Sequence, residues 1–333
     1  MRRTLFDASA GALSMREAFE LDADLGALYA DAILGAARAG GVDPDALDAV
    51  GLHGQTVYHH PRREPNGVTV QLGSGAMVAG RLRTIVVNDF RAADVAAGGE
   101  GAPLVPYCDC LLLGAPDRNR VALNIGGIAN ITWLPRGVRT SSLIAFDTGP
   151  GNMLVDAAMR ELRGRDYDAS GVLAAGGTPD PVWLDELLAD SYYRCPPPKS
   201  AGRERFGEEK GRALACERRE RGMGDADIIA TLTLLTARTI AGGIREFAAR
   251  GATVDDVIVG GGGAANTTMM RMLADEMAGS RIVPADEYGV PADAKEAICF
   301  AILANEALLE VPANIPSVTG AARAVVCGAI RLP

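Results

Sequence analysis

Residues 143–157, Leu-Ile-Ala-Phe-Asp-Thr-Gly-Pro-Gly-Asn-Met-Leu-Val-Asp-Ala, read as an apolar strand that ends on Asp147, a glycine turn through Gly149 and Gly151, and a helix opening at Asn152. Such a turn aims backbone N–H groups and a helix N-terminus at one point, which suits phosphate oxygens. Asp147 then stands at the strand's end, facing a cleft. The bland reading is a strand–turn–helix corner with an aspartate cap, and these residues alone leave both open. No Lys follows the glycines, so the turn is not a Walker A loop. Residues 256–266, Asp-Val-Ile-Val-Gly-Gly-Gly-Gly-Ala-Ala-Asn, repeat the device: an apolar strand runs into Gly260, Gly261, Gly262 and Gly263, with Asn266 before the next helix. Bare backbone there permits the close approach of an adenosine. Gly260, Gly262 and Ala265 also fit G-x-G-x-x-A, with Asp286 further on, so a nicotinamide-dependent oxidoreductase is a competing reading.

Outward from these turns, strands and helices alternate. Ser14 to Glu17 form a capping box, followed by Ala18, Leu21, Leu25, Leu28 and Ala32 at helical spacing. Strands are expected at 49–52, 68–72, 84–87, 121–125, 130–133, 144–146 and 256–259. Helices are expected at 74–81, 103–113, 225–250, 267–277 and 292–310, with another opening at 152. Alternation of this kind argues for an α/β fold. A composition shift near residue 140 places a boundary between a domain at 1–140 and one at 141–333.

The chain has 333 residues, enough for about two domains at roughly 150 residues each. Its net charge of −9 leaves no basic footprint for nucleic acid. No apolar run reaches the roughly 18 residues of a membrane span, and the first residues lack the apolar segment of a signal peptide. A cytoplasmic protein with no membrane partner is expected. The six cysteines and the trio His53, His59 and His60 show no metal-ligand spacing, so no protein-bound metal site is expected.

Three further constellations carry polar chemistry. In Gly51-Leu52-His53-Gly54-Gln55-Thr56, polar side chains follow a strand end, which suits hydrogen bonding to a sugar. In Asn88-Asp89-Phe90-Arg91, the guanidinium is able to clamp a carboxylate or phosphate. In Pro198-Lys199-Ser200-Ala201-Gly202-Arg203, two cations sit in a Gly/Pro loop, either meeting an anion or facing solvent. Glu296 opens the late helix, a position favoured by the macrodipole.

Taken together and in order, GLHGQTVYHHP, VVNDFRAADVAAGGEGAPLVP, LNIGGIANIT, AFDTGPGNMLVDA, PPKSAGRERF, VIVGGGGAANTTMMRML and NIPSVTGAA resemble the anhydro-N-acetylmuramic acid kinase family from about residue 20 to the end. The resemblance implies an actin-like ATPase (ribonuclease H-like) fold of two α/β domains around a cleft. It implies a homodimer that uses ATP and Mg²⁺ to turn 1,6-anhydro-N-acetylmuramate and water into N-acetylmuramate 6-phosphate, in peptidoglycan recycling. It makes Asp147 the general base. His53, Gln55, Thr56, Asp89, Arg91 and Glu296 become sugar-site residues. Gly149, Gly151, Asn152, Gly260, Gly261, Gly262, Gly263 and Asn266 become nucleotide-site residues. Family members begin with a strand and hairpin carrying Gly-Thr-Ser-x-Asp-Gly, which grips the β- and γ-phosphates, and nothing in MRRTLFDASAGALSM matches it. The first domain is therefore expected to be incomplete at its N-terminus. A sugar-binding remnant without kinase activity is the alternative. Glu100 stands where the family pattern leads one to expect Gln.

Overall fold

The computed structural model describes residues 2–140, 143–291 and 294–333. Among the described residues ten strands are formed: β1 (Ala49–Leu52), β2 (Gln55–His60), β3 (Val68–Leu72), β4 (Ile85–Asn88), β5 (Arg120–Ile125), β6 (Ile128–Leu134), β7 (Ile144–Pro150), β8 (Asp256–Gly260), β9 (Arg281–Pro284) and β10 (Ala329–Arg331). The chain divides into two compact units, 1–108 with 295–333, and 109–294. The α/β class expected from alternation is what is found. The division expected near residue 140 is not where the units part. β5 and β6 lie before residue 140 but hydrogen-bond into the same sheet as β7 and β8. The residues after 294 return to the first unit. The late helix, expected from residue 292, is Lys295–Leu308; residues 292 and 293 lie outside the described ones.

In the first unit, β1 and β4 pair in parallel and β10 pairs antiparallel to β4. The helix Met15–Ala39 begins with the expected capping box, the Ser14 hydroxyl accepting from the Glu17 N–H and the Glu17 carboxylate accepting from the Ser14 N–H. Its Leu21, Leu25 and Ala30 are buried. The helix Lys295–Leu308 packs on β1. That approach requires Gly51, because a Cβ there would lie 2.2 Å from the Phe300 carbonyl oxygen. β2, not foreseen as a strand, forms a two-stranded hairpin with β3. Gln55 and Thr56 thus sit in a strand rather than in a polar loop.

The second unit holds a five-stranded sheet of order β7-β6-β5-β8-β9, in which only β6 runs against the others. Val121, Leu123, Val257 and Val259 are fully buried, and the helix Asp225–Gly243 covers the sheet with Ala237, Ile240 and Ala241. That helix and its wider-turned continuation to Ala249 have the length and hydropathy of a membrane span. Its most apolar stretch is 78% buried inside the protein, which makes it a core helix. At the N-terminal ends of β5, β8 and β9, the fully buried Asp256 accepts from Arg118 at 2.8 Å, Arg120 at 3.2 Å and Arg281 at 3.1 Å. Strong pairing of this kind is what permits a charge there. The opposite edge, at the C-terminal ends of β5, β7 and β8, carries the glycine turns, where open α/β sheets bind ligands.

Candidate active site

Asp147 sits midway along β7, which continues to Pro150 instead of stopping at the aspartate. The register explains this. Asn130 pairs with Asp147 and Ala129 with Gly149, leaving Thr148 as the extra residue of a bulge. Its hydroxyl donates to the Ala129 carbonyl at 3.2 Å. A bulge bends a strand and re-aims the neighbouring side chain. The carboxylate Oδ2 of Asp147 accepts the Ala201 N–H at 2.9 Å. The Asp147 N–H donates to the Lys199 carbonyl at 3.2 Å, and the Tyr192 hydroxyl donates to the Asp147 carbonyl at 2.8 Å. Burial pushes the carboxyl up to about 6, against the opposing pull of the Ala201 N–H.

The turn after β7 is not a free phosphate cradle. The N–H of Gly151 donates to the Gly127 carbonyl at 2.9 Å, that of Asn152 to the Gly126 carbonyl at 2.8 Å, and that of Met153 to the Gly127 carbonyl at 3.1 Å. The expectation that these N–H groups face phosphate is corrected accordingly: the tip of the β5–β6 hairpin occupies them. Gly151 is required for this contact, since a Cβ there would lie 2.3 Å from the Gly126 carbonyl. A Cβ on Gly149 would lie 2.9 Å from the Tyr193 ring. Both glycines thus serve packing. The Asn152 amide reaches the Ile125 carbonyl at 3.3 Å, with no capping bond of its own.

The four glycines after β8 divide by role. Gly261 has φ +78° and no room for a side chain, a Cβ falling 2.6 Å from the Asn124 amide oxygen. Gly263 is buried with a would-be Cβ 2.3 Å from Ile125. Gly260 is a buried strand residue. Gly262 alone is exposed, with only the Asn152 amide at 4.0 Å near its would-be Cβ. Asn266 is a helix N-cap: its side chain accepts from the Met269 N–H at 2.9 Å, so that oxygen is not offered to a ligand. The Gly126-Gly127 hairpin therefore meets Asn152 and the glycine turn at one sheet edge. Gly126 and Gly127 are not among the nucleotide-site residues expected from the sequence. A glycine pair at the tip of two predicted strands was the available signal.

The first unit assembles the other polar cluster. Arg91 donates from Nε to Nε2 of His53 at 3.0 Å and from a terminal nitrogen to the Gly101 carbonyl at 2.8 Å. Nδ1 of His53 lies 2.7 Å from the Gly54 carbonyl, so the proton belongs on Nδ1 and the ring is neutral. Burial, then the Arg91 charge, lowers the imidazole's affinity for a second proton. Burial also lowers the Arg91 guanidinium, partly offset by Glu296. Glu296 itself is exposed in the first turn of its helix, so the return of residues 295–333 places it with His53 and Arg91. Asp89 adopts φ +58° and is raised by burial, against the Ala92 N–H and Arg331. It lines a cavity of about 360 Å³ with Asp22, Gln71, Ser74, Asn88 and Arg331. Thr56 accepts from Gln71 at 3.3 Å, and the exposed Gln55 donates to the Thr56 carbonyl. Glu100 pairs with Arg62. The fully buried Asp94, not singled out in the sequence, accepts from the Gly101 N–H, Asn314 and Thr319 at 2.6–2.7 Å, and so fixes the loop bearing Glu100 and Gly101.

A family model described as anhydro-N-acetylmuramic acid kinase matches residues 1–333. A protein of that name from Salinibacter ruber is 43% identical over 327 residues, covering 96% of this chain and 82% of the relative. One from Gloeobacter violaceus is 42% identical, covering 99% and 86%, and one from Caldanaerobacter subterraneus is 39% identical, covering 92% and 80%. Among solved structures, the activator of 2-hydroxyisocaproyl-CoA dehydratase from Clostridium difficile with bound ADPNP is 16% identical at a TM-score of 0.40, over 73% of this chain and 88% of that one, too distant to carry weight.

Proposed function

Because the chain belongs to the anhydro-N-acetylmuramic acid kinase family, we propose that it opens the 1,6-anhydro ring of anhydro-N-acetylmuramic acid with water while moving the γ-phosphoryl group of ATP onto O6. The observation that carries this reading is the Asp147 carboxyl, partly buried, held by one N–H and raised to about 6, on the sheet that also bears the two glycine turns. A carboxylate of that pKa is ionised at neutral pH and still a competent proton acceptor. Asp147 takes a proton from water as the water oxygen bonds to the anomeric carbon. The bond from that carbon to O6 breaks, and its electron pair leaves with O6. O6 bonds to the γ-phosphorus, and the bond from that phosphorus to the bridging oxygen breaks to release ADP. Ordinary glycoside hydrolysis needs a second carboxyl group to protonate the leaving oxygen. Here phosphorus takes up the charge on O6, and one carboxylate suffices.

Gly262, with bare exposed backbone, and the neighbouring Asn152 amide support a nucleotide at the glycine turn of the second unit. His53, Arg91, Glu296 and Asp89 support a role for the first unit in binding the sugar's hydroxyl and lactyl carboxylate groups. Among the described residues no group of three His, Cys, Asp or Glu side chains is placed to hold a metal. Mg²⁺ is commonly bound through phosphates and water with one or two carboxylates. The residues present therefore fit an ion carried by the nucleotide, which supplies charge neutralisation at the phosphoryl oxygens when bound. A cytoplasmic homodimer is the working form in this reading, and a one-chain molar mass by light scattering would count against the dimer.

ADP release from MgATP and anhydro-N-acetylmuramic acid tests the activity. Asp147→Asn is expected to lower kcat by about 10²–10⁴-fold, the usual worth of a positioned base. Unchanged turnover in that folded variant would overturn the assignment.

A further inference from the structure

The residues that hold Asp147 belong to a strap, Lys199-Ser200-Ala201, laid along the free side of β7. Its two bonds to Asp147 come from either end: the Lys199 carbonyl accepts the Asp147 N–H, and the Ala201 N–H meets Oδ2. The Lys199 side chain turns away from the carboxylate. Its Nζ lies 4.8 Å from the centres of the Tyr192 and Phe247 rings and 5.6 Å from that of Phe146. It donates to the Tyr192 carbonyl at 3.1 Å and the Tyr193 carbonyl at 3.4 Å. Three aromatic rings and two carbonyl oxygens suit an ammonium, although burial lowers its hold on the proton. Phe146 precedes Asp147 in β7, and Tyr192 donates to the Asp147 carbonyl. The box is therefore built from the elements that carry the base.

We propose that Lys199 is a positioning residue for Asp147: its boxed ammonium fastens the strap to β7, and the strap's Ala201 N–H orients the carboxylate and keeps it ionised during turnover. This rests on the assignment of Asp147 as the base. The cation in this loop thus serves neither as an anion clamp nor as a solvated side chain. It acts through backbone. Among the described residues, the other titratable groups at the corner are Tyr192, which adjoins Asp147, Arg205, whose guanidinium lies 5.1 Å from the Tyr192 ring centre, and Cys195 and Glu246, which face Lys199. None of them replaces the Ala201 N–H.

The Ala201 bond favours the ionised carboxylate and opposes burial, so losing that bond lets the Asp147 pKa rise above about 6, toward where burial alone would put it. In the holoenzyme with MgATP and anhydro-sugar, Lys199→Met is expected to move the acidic limb of the kcat profile up by about one pH unit. Turnover then falls about tenfold on that limb and recovers above it, with KM for ATP unchanged. Lys199→Arg, which keeps a cation in the box, is expected to restore the limb. Should Lys199→Met fold poorly, Ala201→Pro deletes the N–H itself and carries the same expectation. A uniform loss at every pH, or a limb that stays in place in a folded variant, overturns the positioning role while Asp147→Asn keeps its lowered kcat. Full activity of Asp147→Asn would instead remove the base, and with it the premise.

Discussion

Asp147 stands out in the sequence as an acidic side chain between an apolar strand and a glycine run, but those residues fit an aspartate cap equally well, and the role of base came from the family resemblance. Its setting was not legible, since the bulge at Thr148 and the Ala201 bond arise from segments distant in sequence. The four glycines illustrate the same limit. In sequence they are equivalent; in the fold, Gly261 sits at φ +78° against Asn124, while Gly262 faces open space. Gly261→Ala must place a side chain in a left-handed conformation and within 2.6 Å of an amide oxygen, and is expected to cost about 1–3 kcal/mol. Gly262→Ala has room and is expected to change stability by less than about 0.5 kcal/mol. Its methyl group would stand where the adenosine lies in the proposed reading, so KM for ATP should rise severalfold while the melting curve stays put. Denaturant titration and steady-state kinetics on the two variants check both halves. Equal ATP affinity in Gly262→Ala and the parent would move the nucleotide away from this turn.

At the scale of elements, local signals served well where the structure is local. The capping box at Ser14, the alternation of strands and helices, and the strand entering the four glycines are all found. β2 was missed because polar Gln55, Thr56, His59 and His60 carry no alternating apolar pattern, and pairing with β3 supplies the strand instead. The helix Lys295–Leu308 was foreseen, but not its partner. It lies on β1 because Gly51 offers no Cβ, and this brings Phe300 to 4.6 Å from the His53 ring and 5.2 Å from Phe90. Gly51→Ala would drive a methyl group into the Phe300 carbonyl and lever the helix off the strand. Overpacking of this kind costs about 1–3 kcal/mol. Because His53, Arg91 and Glu296 depend on that contact, KM for the anhydro-sugar is expected to rise more than KM for ATP. A melt together with initial rates at varied concentrations of each substrate would show it. An equal rise in both constants would argue against assigning this cluster to the sugar.

At the scale of the molecule, composition misplaced the division because composition is read along the chain, whereas a unit is defined by what pairs with what. Arg120 in β5 stands beside Asp256 in β8, and the intervening residues hang on that sheet. The second unit is one continuous segment with its own sheet and core. The first is built from two segments, and its C-terminal one supplies β10, the helix on β1, and two of the three groups that satisfy Asp94. Ending the chain at residue 294 would remove Asn314 and Thr319 and leave a fully buried carboxylate with one N–H partner. Breaking a buried charge's pairing typically costs about 3–5 kcal/mol, a large share of the roughly 5–15 kcal/mol by which a domain is stable. The expected outcome is selective. Amides of β1 and β4 should lose their protection in hydrogen exchange, while those of β5 and β8 keep theirs, and the Asp147 strap with them. Retained protection in β1 and β4 would mean that the returning segment does not hold the first unit together, and that the placement of Glu296 beside Arg91 needs another explanation.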